Sequence, residues 1–68
     1  MDELRIFWYK VGLIQKEKKI SDERLAHLLG ISRATLARHR ADVLQTTGSE
    51  LAKASRHFGE SIPDLMTL

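Results

Sequence analysis

The fold of this 68-residue chain is decided by residues 22–43, which read DERLAHLLGISRATLARHRADV. Two helical stretches flank Gly30, and a serine precedes each of them, Ser21 before the first and Ser32 before the second. A serine hydroxyl accepts hydrogen bonds from the free backbone N–H groups at a helix start, and glycine adopts the left-handed conformation that commonly ends a helix. The stretch therefore predicts two short helices joined by a tight turn.

The segment ahead of this pair predicts a long first helix, from Asp2 to about Lys18. Its apolar residues fall at spacings that place them on one helical face. These residues are Leu4, Phe7, Trp8, Val11 and Ile14. A second apolar set, Ile6, Tyr9 and Leu13, makes this face wider than packing on two short helices requires. We expect these extra side chains either to be partly exposed or to contact a second subunit.

The segment behind the turn predicts two more helices. The third helix is expected over residues 33–45 or 33–47, with Gly48 as its stop, and a fourth over residues 49–58, with Ser49 as its cap. No strand fits between these segments. The sequence thus predicts an all-α fold of four short helices, in which the turn-linked pair packs on a longer N-terminal helix.

The last residues contain the only proline and several apolar side chains. We expect residues 1–59 to form the domain and residues 60–68 to be a tail that either frays or docks on a partner. The candidate dimer-contact residues are Ile6, Tyr9, Leu13, Ile62, Leu65 and Met66.

The composition excludes several classes of site. The chain has no cysteine, so disulfides, thiolate zinc sites and a cysteine nucleophile are impossible. Its three histidines are not accompanied by a carboxylate cluster, and it lacks a glycine-rich phosphate loop. We therefore expect no metal, no cofactor, no small-molecule ligand and no enzymatic activity.

The start of the chain and its hydropathy give an expectation about location. No stretch approaches the roughly 18 apolar residues of a membrane helix, and Met1 is followed by two acidic residues rather than by a basic flank and an apolar run. We expect a cytoplasmic protein without a membrane partner.

The third helix has an outward face that favours DNA as the partner. With Leu36 pointing inward and about 100 degrees per residue, Ala34, Arg38, Ala41 and Gln45 point outward. Small alanines let a helix approach the floor of a major groove, and basic side chains attract phosphate. The net charge of only +2 conceals this local concentration of arginine.

Within this helix, Arg38 is the strongest candidate to contact a base, because a guanidinium can donate two hydrogen bonds to guanine. The start of the helix enters the groove first, so Ser32 and Arg33 are expected to contact bases or phosphates. The full predicted DNA-contacting set is Ser32, Arg33, Ala34, Thr35, Ala37, Arg38, Arg40, Lys18 and Lys19.

Arg40 and the histidines have separate expectations. Arg40 lies about 40 degrees from the inward direction, so its stem should pack and its head should reach an acid or a phosphate. His39 is expected to be partly buried and hydrogen-bonded, whereas His27 and His57 should face solvent.

Residues 22–43 resemble the helix-turn-helix of bacterial DNA-binding proteins. The run GISRATLARHRADVL, followed by Gly48, looks like the effector domain of LuxR-type and response-regulator transcription factors, from which it departs at Ala37, Arg40 and Thr47. That resemblance implies four helices and dimerisation through the last. GISRATL equally resembles Fis-type proteins, site-specific resolvases and sigma-factor region four.

Two functions are consistent with these observations. The first is sequence-specific binding of double-stranded DNA by a small transcriptional regulator, which we expect to act as a homodimer on a palindromic site. The second is a protein-interaction module, such as an anti-repressor, an adaptor, or a terminase or recombination accessory domain. The wide apolar face and the low net charge support this alternative.

Overall fold

The structure is a computed structural model that describes residues 2–68. Within that range it is all-helical, with no strand, which confirms the predicted fold class. The helices are α1 (Glu3–Lys18), α2 (Asp22–Leu29), α3 (Arg33–Ala41), α4 (Gly48–Phe58) and α5 (Ile62–Leu65), with a 3₁₀ turn, Val43–Gln45, between α3 and α4. None of the helices in the described part of the chain has the length and apolar character needed to cross a membrane.

The turn between α2 and α3 forms as the sequence predicts. Ser21 Oγ accepts a hydrogen bond from the backbone N–H of Arg24, and Ser32 Oγ accepts one from that of Thr35, both at 3.1 Å. Gly30 ends α2 in the left-handed conformation, with φ of 72°. The two serine caps and the glycine stop are therefore confirmed.

The prediction that α3 extends to residue 45 or 47 is wrong, because the helix ends at Ala41. Asp42 leaves the helical conformation, with φ of −127° and ψ of 89°, and accepts a hydrogen bond from the Gln45 side chain at 3.1 Å. Thr47 is extended because it caps the next helix, so α3 cannot continue through it.

The start of α4 also differs from the prediction, since its cap is Thr47 and not Ser49. Gly48, predicted as the stop of α3, is the first residue of α4. Thr47 Oγ1 accepts from the backbone N–H of Glu50 at 3.2 Å, and Glu50 Oε1 accepts from that of Thr47 at 3.1 Å. This reciprocal pair is a capping box, which requires an acid or amide three residues after the cap. Ser49 is followed at that distance by Ala52, so it cannot form one.

The core lies where α1 crosses the other helices. Its members are Phe7, Trp8, Val11, Ile14, Leu25, Ala26, Leu29, Leu36, Val43, Ala54 and Leu65. Phe7 and Trp8 pack edge to face with ring centroids 5.0 Å apart. The Trp8 indole N–H donates to Thr46 Oγ1 at 2.8 Å, which attaches the segment between α3 and α4 to α1.

The last residues form a helix that docks on their own chain. Ser61 caps α5, and the Lys10 ammonium donates to the backbone carbonyl of Asp64 at 2.7 Å. Leu65 is completely buried in the core and Ile6 is also buried. The prediction that Ile6 and Leu65 belong to a dimer surface is therefore wrong, because packing within the chain covers their side chains.

The other candidate dimer-contact residues divide into two groups. Ile62 and Met66 are half-buried, and Met66 packs against the core. Tyr9 and Leu13 remain 54% and 47% exposed on the outer face of α1.

Candidate nucleic-acid interface

The outward face of α3 has the predicted composition. Arg33, Ala34, Ala37, Arg38 and Ala41 are all exposed. All carry small or basic side chains, so a flat, cationic strip runs along the helix. This strip is compatible with the floor and walls of a major groove.

Polar side chains are ordered in a row along one edge of that strip. Ser32 Oγ donates to Thr35 Oγ1 at 2.9 Å, and Arg38 Nη2 donates to the same oxygen at 3.4 Å. The row follows the i, i+3, i+6 spacing of one helix face. Thr35, which is half-buried, thus holds the Arg38 side chain along the helix and limits the directions in which its guanidinium can point.

Arg40 is half-buried and lies at the edge of the exposed strip, beside Arg33 and Ala37. Its guanidinium donates to Asp22 Oδ1 at 2.9 Å and to Gln15 Oε1, and lies 6.0 Å from the centroid of the Trp8 ring. The expectation that its head reaches an acid is confirmed. Its place in the DNA-contacting set stays a prediction, and in the free domain these intramolecular partners engage both terminal nitrogens.

The contact between Arg40 and Asp22 changes the titration of the Asp22 carboxyl. The Gln15 amide donates to Asp22 Oδ1 at 3.0 Å, and Arg40 donates to the same carboxylate. These two hydrogen bonds, with the charge of Arg40, hold the pKa of Asp22 below its usual range. Three helices are therefore joined at this point, with α1, α2 and α3 each supplying one side chain.

Lys18 and Lys19 are exposed where α1 ends and the chain turns toward α2. Lys19 adopts the left-handed conformation, with φ of 56°, and its backbone N–H bonds the Gln15 carbonyl. The two lysines thus lie at the corner that precedes α2.

His39 is buried, and its Nδ1–H donates to the Glu50 carboxylate, with distances of 2.8 and 3.0 Å to the two oxygens. The expectation that His39 is hydrogen-bonded is confirmed, as is the exposure of His27 and His57. Among residues 2–68, no group of three histidine or carboxylate side chains could hold a metal ion.

Sequence reasoning missed two charged residues beside α3. Glu50 is 1% exposed, and only the T-x-x-E pattern of residues 47–50 signalled its capping function. Lys53 brings its ammonium over the turn between α2 and α3, where a Cβ built on Gly30 would lie 2.5 Å from Nζ. Nothing in the local sequence around Lys53 could have signalled this position, because α4 approaches the turn only in the folded chain.

Comparison with known proteins gives one finding. A family model described as the Cro/C1-type HTH DNA-binding domain matches residues 13–68, which include all of α2 to α5 and the end of α1. Neither a curated protein nor a solved structure matches the chain. The match confirms the helix-turn-helix that residues 22–43 predict, and its type is Cro/C1 and not LuxR.

Proposed function

The chain belongs to the family of Cro/C1-type HTH DNA-binding domains, and from this premise we propose that it is a transcriptional regulator that binds a palindromic DNA site as a homodimer. The observation that carries the proposal is the exposed strip of α3, which consists of alanines and arginines without an acidic residue. In this arrangement α3 lies in the major groove and α2 crosses above it.

Within the groove, Arg38 is the residue that reads sequence. Its guanidinium can donate two parallel hydrogen bonds to a guanine O6 and N7, and Thr35 already orients it along the helix. Ala34 and Ala37 allow the backbone of α3 to approach the base edges. Arg33, at the start of the helix, contacts a base or the adjacent phosphate.

Phosphate contacts supply the sequence-independent part of binding. Lys18 and Lys19 are exposed cations at the corner before α2, and such contacts release counterions and make affinity fall with salt. They fix the position of the domain on the duplex, while α3 selects the sequence.

A homodimer is required because one module of this size buries too little surface, about 600–1,000 Å², for tight specific binding. The exposed Tyr9 and Leu13 lie one turn apart on α1 and form its unpartnered apolar face. The α1 sequence is acidic at its start, with Asp2 and Glu3, and basic in its last turn. Antiparallel pairing of two α1 helices therefore joins the apolar faces and brings opposite charges together.

The helix α4 offers a weaker dimer surface than α1. Its exposed residues are glycine, serine, alanine, arginine and histidine. None is a large apolar side chain of the kind that fills the centre of a stable interface. The α1 surface is therefore the one that we propose.

Selection of bound duplexes from a random pool tests the function directly. We expect a palindromic sequence whose half-sites are separated by about one turn of DNA. Failure to retain any duplex at low salt would contradict DNA binding, and a selected site without twofold symmetry would contradict the homodimer.

Single substitutions test the two kinds of contact. Arg38→Ala should weaken binding to the selected duplex by about 1–3 kcal/mol and relax selectivity at one base pair, whereas Lys18→Ala should weaken all duplexes alike and lower the salt slope by about 1. Arg56→Ala is the charge-matched control, because Arg56 is exposed and belongs to α4 and not to α3. Equal effects of Arg38→Ala on selected and random duplexes would contradict its role as a base reader.

Sedimentation tests the dimer surface. We expect Leu13→Glu to shift the chain toward the monomer and to weaken binding to the full palindrome more than to a half-site. Leu44→Glu is a matched control, since Leu44 is 83% exposed but lies outside α1. A wild-type chain that stays monomeric at every concentration would exclude this interface.

A further inference from the structure

The recognition helix α3 has few apolar contacts with the rest of the domain. Of its nine residues, only Leu36 and His39 are buried. The exposed strip of α3 faces solvent; it consists of Arg33, Ala34, Ala37, Arg38 and Ala41. A single leucine near the middle of a short helix fixes its distance from the core but allows it to rotate and tilt, since apolar packing is not directional.

The second buried residue supplies a directional contact, in addition to those that Arg40 makes with Asp22 and Gln15. His39 Nδ1 lies 2.8 Å from Glu50 Oε1 and 3.0 Å from Oε2, so the imidazole faces both oxygens of the carboxylate. The two side chains are 9% and 1% exposed. Hydrogen bonds to a charged group in such a dry environment are strong, and the carboxylate is costly to leave unpaired.

The same carboxylate also fixes the start of α4. Glu50 Oε1 accepts from the backbone N–H of Thr47 at 3.1 Å and from its hydroxyl at 3.0 Å, completing the capping box. One buried group thus joins the end of α3 to the beginning of α4 and closes the connecting segment into a loop. No buried side-chain nitrogen or oxygen in residues 2–68 lacks a hydrogen-bond partner, so this network has no spare donor to replace His39.

We propose that His39 and Glu50 are positioning residues that set the orientation of α3 in the DNA groove. The inference rests on the proposed function. Base contacts by Arg38 require correct distance and angle, whereas attraction to phosphate tolerates displacement. A change in the tilt of α3 therefore reduces the preference for the correct sequence more than it reduces general affinity for DNA.

The experiment compares three replacements of His39 that differ in their ability to reach Glu50. An asparagine carries its amide nitrogen the same number of bonds from the backbone as the imidazole Nδ1, a glutamine carries it one bond farther, at the level of Nε2, and a leucine fills the space without a donor. For His39→Gln, His39→Asn and His39→Leu, affinities are measured for the duplex recovered by selection and for a random duplex of equal length, at one salt concentration.

We expect the ratio of the two affinities to fall about tenfold in His39→Gln and His39→Leu, the size of losing part of one good base contact. His39→Asn should retain most of the ratio, and the affinity for the random duplex should change little in all three. Leu65→Ala is the control for loss of stability alone, because Leu65 is buried in α5 and its truncation should lower stability without changing the ratio.

The outcomes separate this inference from the proposed function. A wild-type chain without preference for any duplex would overturn both. If the wild-type preference survives unchanged in folded His39→Gln, or if this variant loses affinity equally for selected and random duplexes, only the positioning role is overturned. If His39→Leu does not fold, as circular dichroism would reveal, the comparison of His39→Asn with His39→Gln still decides the question.

Discussion

The helices α2 and α3 are adjacent, have eight and nine residues, and begin with the same serine cap, yet they are attached to the domain differently. The buried residues of α2 are Leu25, Ala26 and Leu29, all apolar. Those of α3 are one leucine, Leu36, and one histidine, His39. Helix α3, whose face suits DNA, therefore has fewer buried apolar residues than α2 and a larger exposed surface of small and basic side chains.

This difference separates stability from orientation. Apolar burial stabilises α2 in proportion to the area removed from water and tolerates small rotations. The attachment of α3 depends instead on hydrogen bonds from His39 and Arg40, which are effective only within narrow distances and angles. The domain therefore holds α2 mainly by apolar burial and holds α3 in part by directional contacts.

The largest expected effect comes from removing a buried leucine from each helix. Leu29→Ala and Leu36→Ala should each lower the free energy of unfolding by about 2–5 kcal/mol, measured by urea denaturation. In Leu36→Ala, amide exchange should accelerate in α3 more than in α2, because no other apolar side chain of α3 is buried. Equal protection of both helices in that variant would contradict the difference in attachment.

The turn between the two helices gives the next largest effect. Gly30 has a positive φ, so Gly30→Ala should cost about 1–2 kcal/mol for the left-handed conformation. The new Cβ would also displace the Lys53 ammonium. Gly12→Ala is the matched control: Gly12 lies within α1 with open space around it, and alanine should stabilise the helix by about 0.5–1 kcal/mol. Thermal melts that shift in the same direction for both variants would contradict this assignment.

Features that depend on neighbours in sequence were predictable before the structure was known. The caps at Ser21 and Ser32 and the stop at Gly30 need only local hydrogen bonds and a local conformation. The periodicity also placed Leu36 inward and gave Arg40 a direction toward an acid. The helix-turn-helix and its exposed strip could therefore be predicted from the sequence.

Features that depend on contacts between distant segments of the chain could not be predicted from the sequence. The end of α3 at Ala41 follows from Thr47 capping α4 and from Thr46 bonding to Trp8, and only the first of these had a sequence signal. Glu50 was not expected to be buried, because its partner in α3 belongs to another helix. Leu65 has an apolar side chain in a segment that favours a dimer surface when read alone, and it is covered only when α5 folds back on α1.

The caps test whether the start of α3 differs from that of α2. Ser21→Ala and Ser32→Ala should each cost about 1 kcal/mol of stability in denaturant titrations. Only Ser32→Ala should also weaken specific DNA binding, because Ser32 belongs to the row that includes Thr35 and Arg38. Ser49→Ala is the control and should have little effect, since α4 has its cap two residues earlier. Identical DNA affinities of Ser21→Ala and Ser32→Ala would contradict a separate contribution of Ser32 to DNA binding.

The smallest effect concerns the polar link between α2 and α3 itself. Asp22 is half-exposed, so its pair with Arg40 should contribute only about 0.2–1 kcal/mol. The hydrogen bond from Gln15 and the contact with Arg40 lower its pKa in the folded chain. A carboxyl with a lowered pKa stabilises the fold above its unfolded-state value of about 3.9, and that stabilisation disappears as the pH falls through the folded-state pKa.

Asp22→Asn should therefore be less stable than the wild type near pH 7, and the two stability curves should converge below about pH 4. Glu23→Gln is the control, because Glu23 occupies the same first turn of α2 without an ion-pair partner in the described chain. If the free energies of unfolding of wild type and Asp22→Asn differ by the same amount down to acidic pH, the contact between Asp22 and Arg40 depends on hydrogen-bond geometry and not on charge. The orientation of α3 would then be the same at every pH at which the domain remains folded.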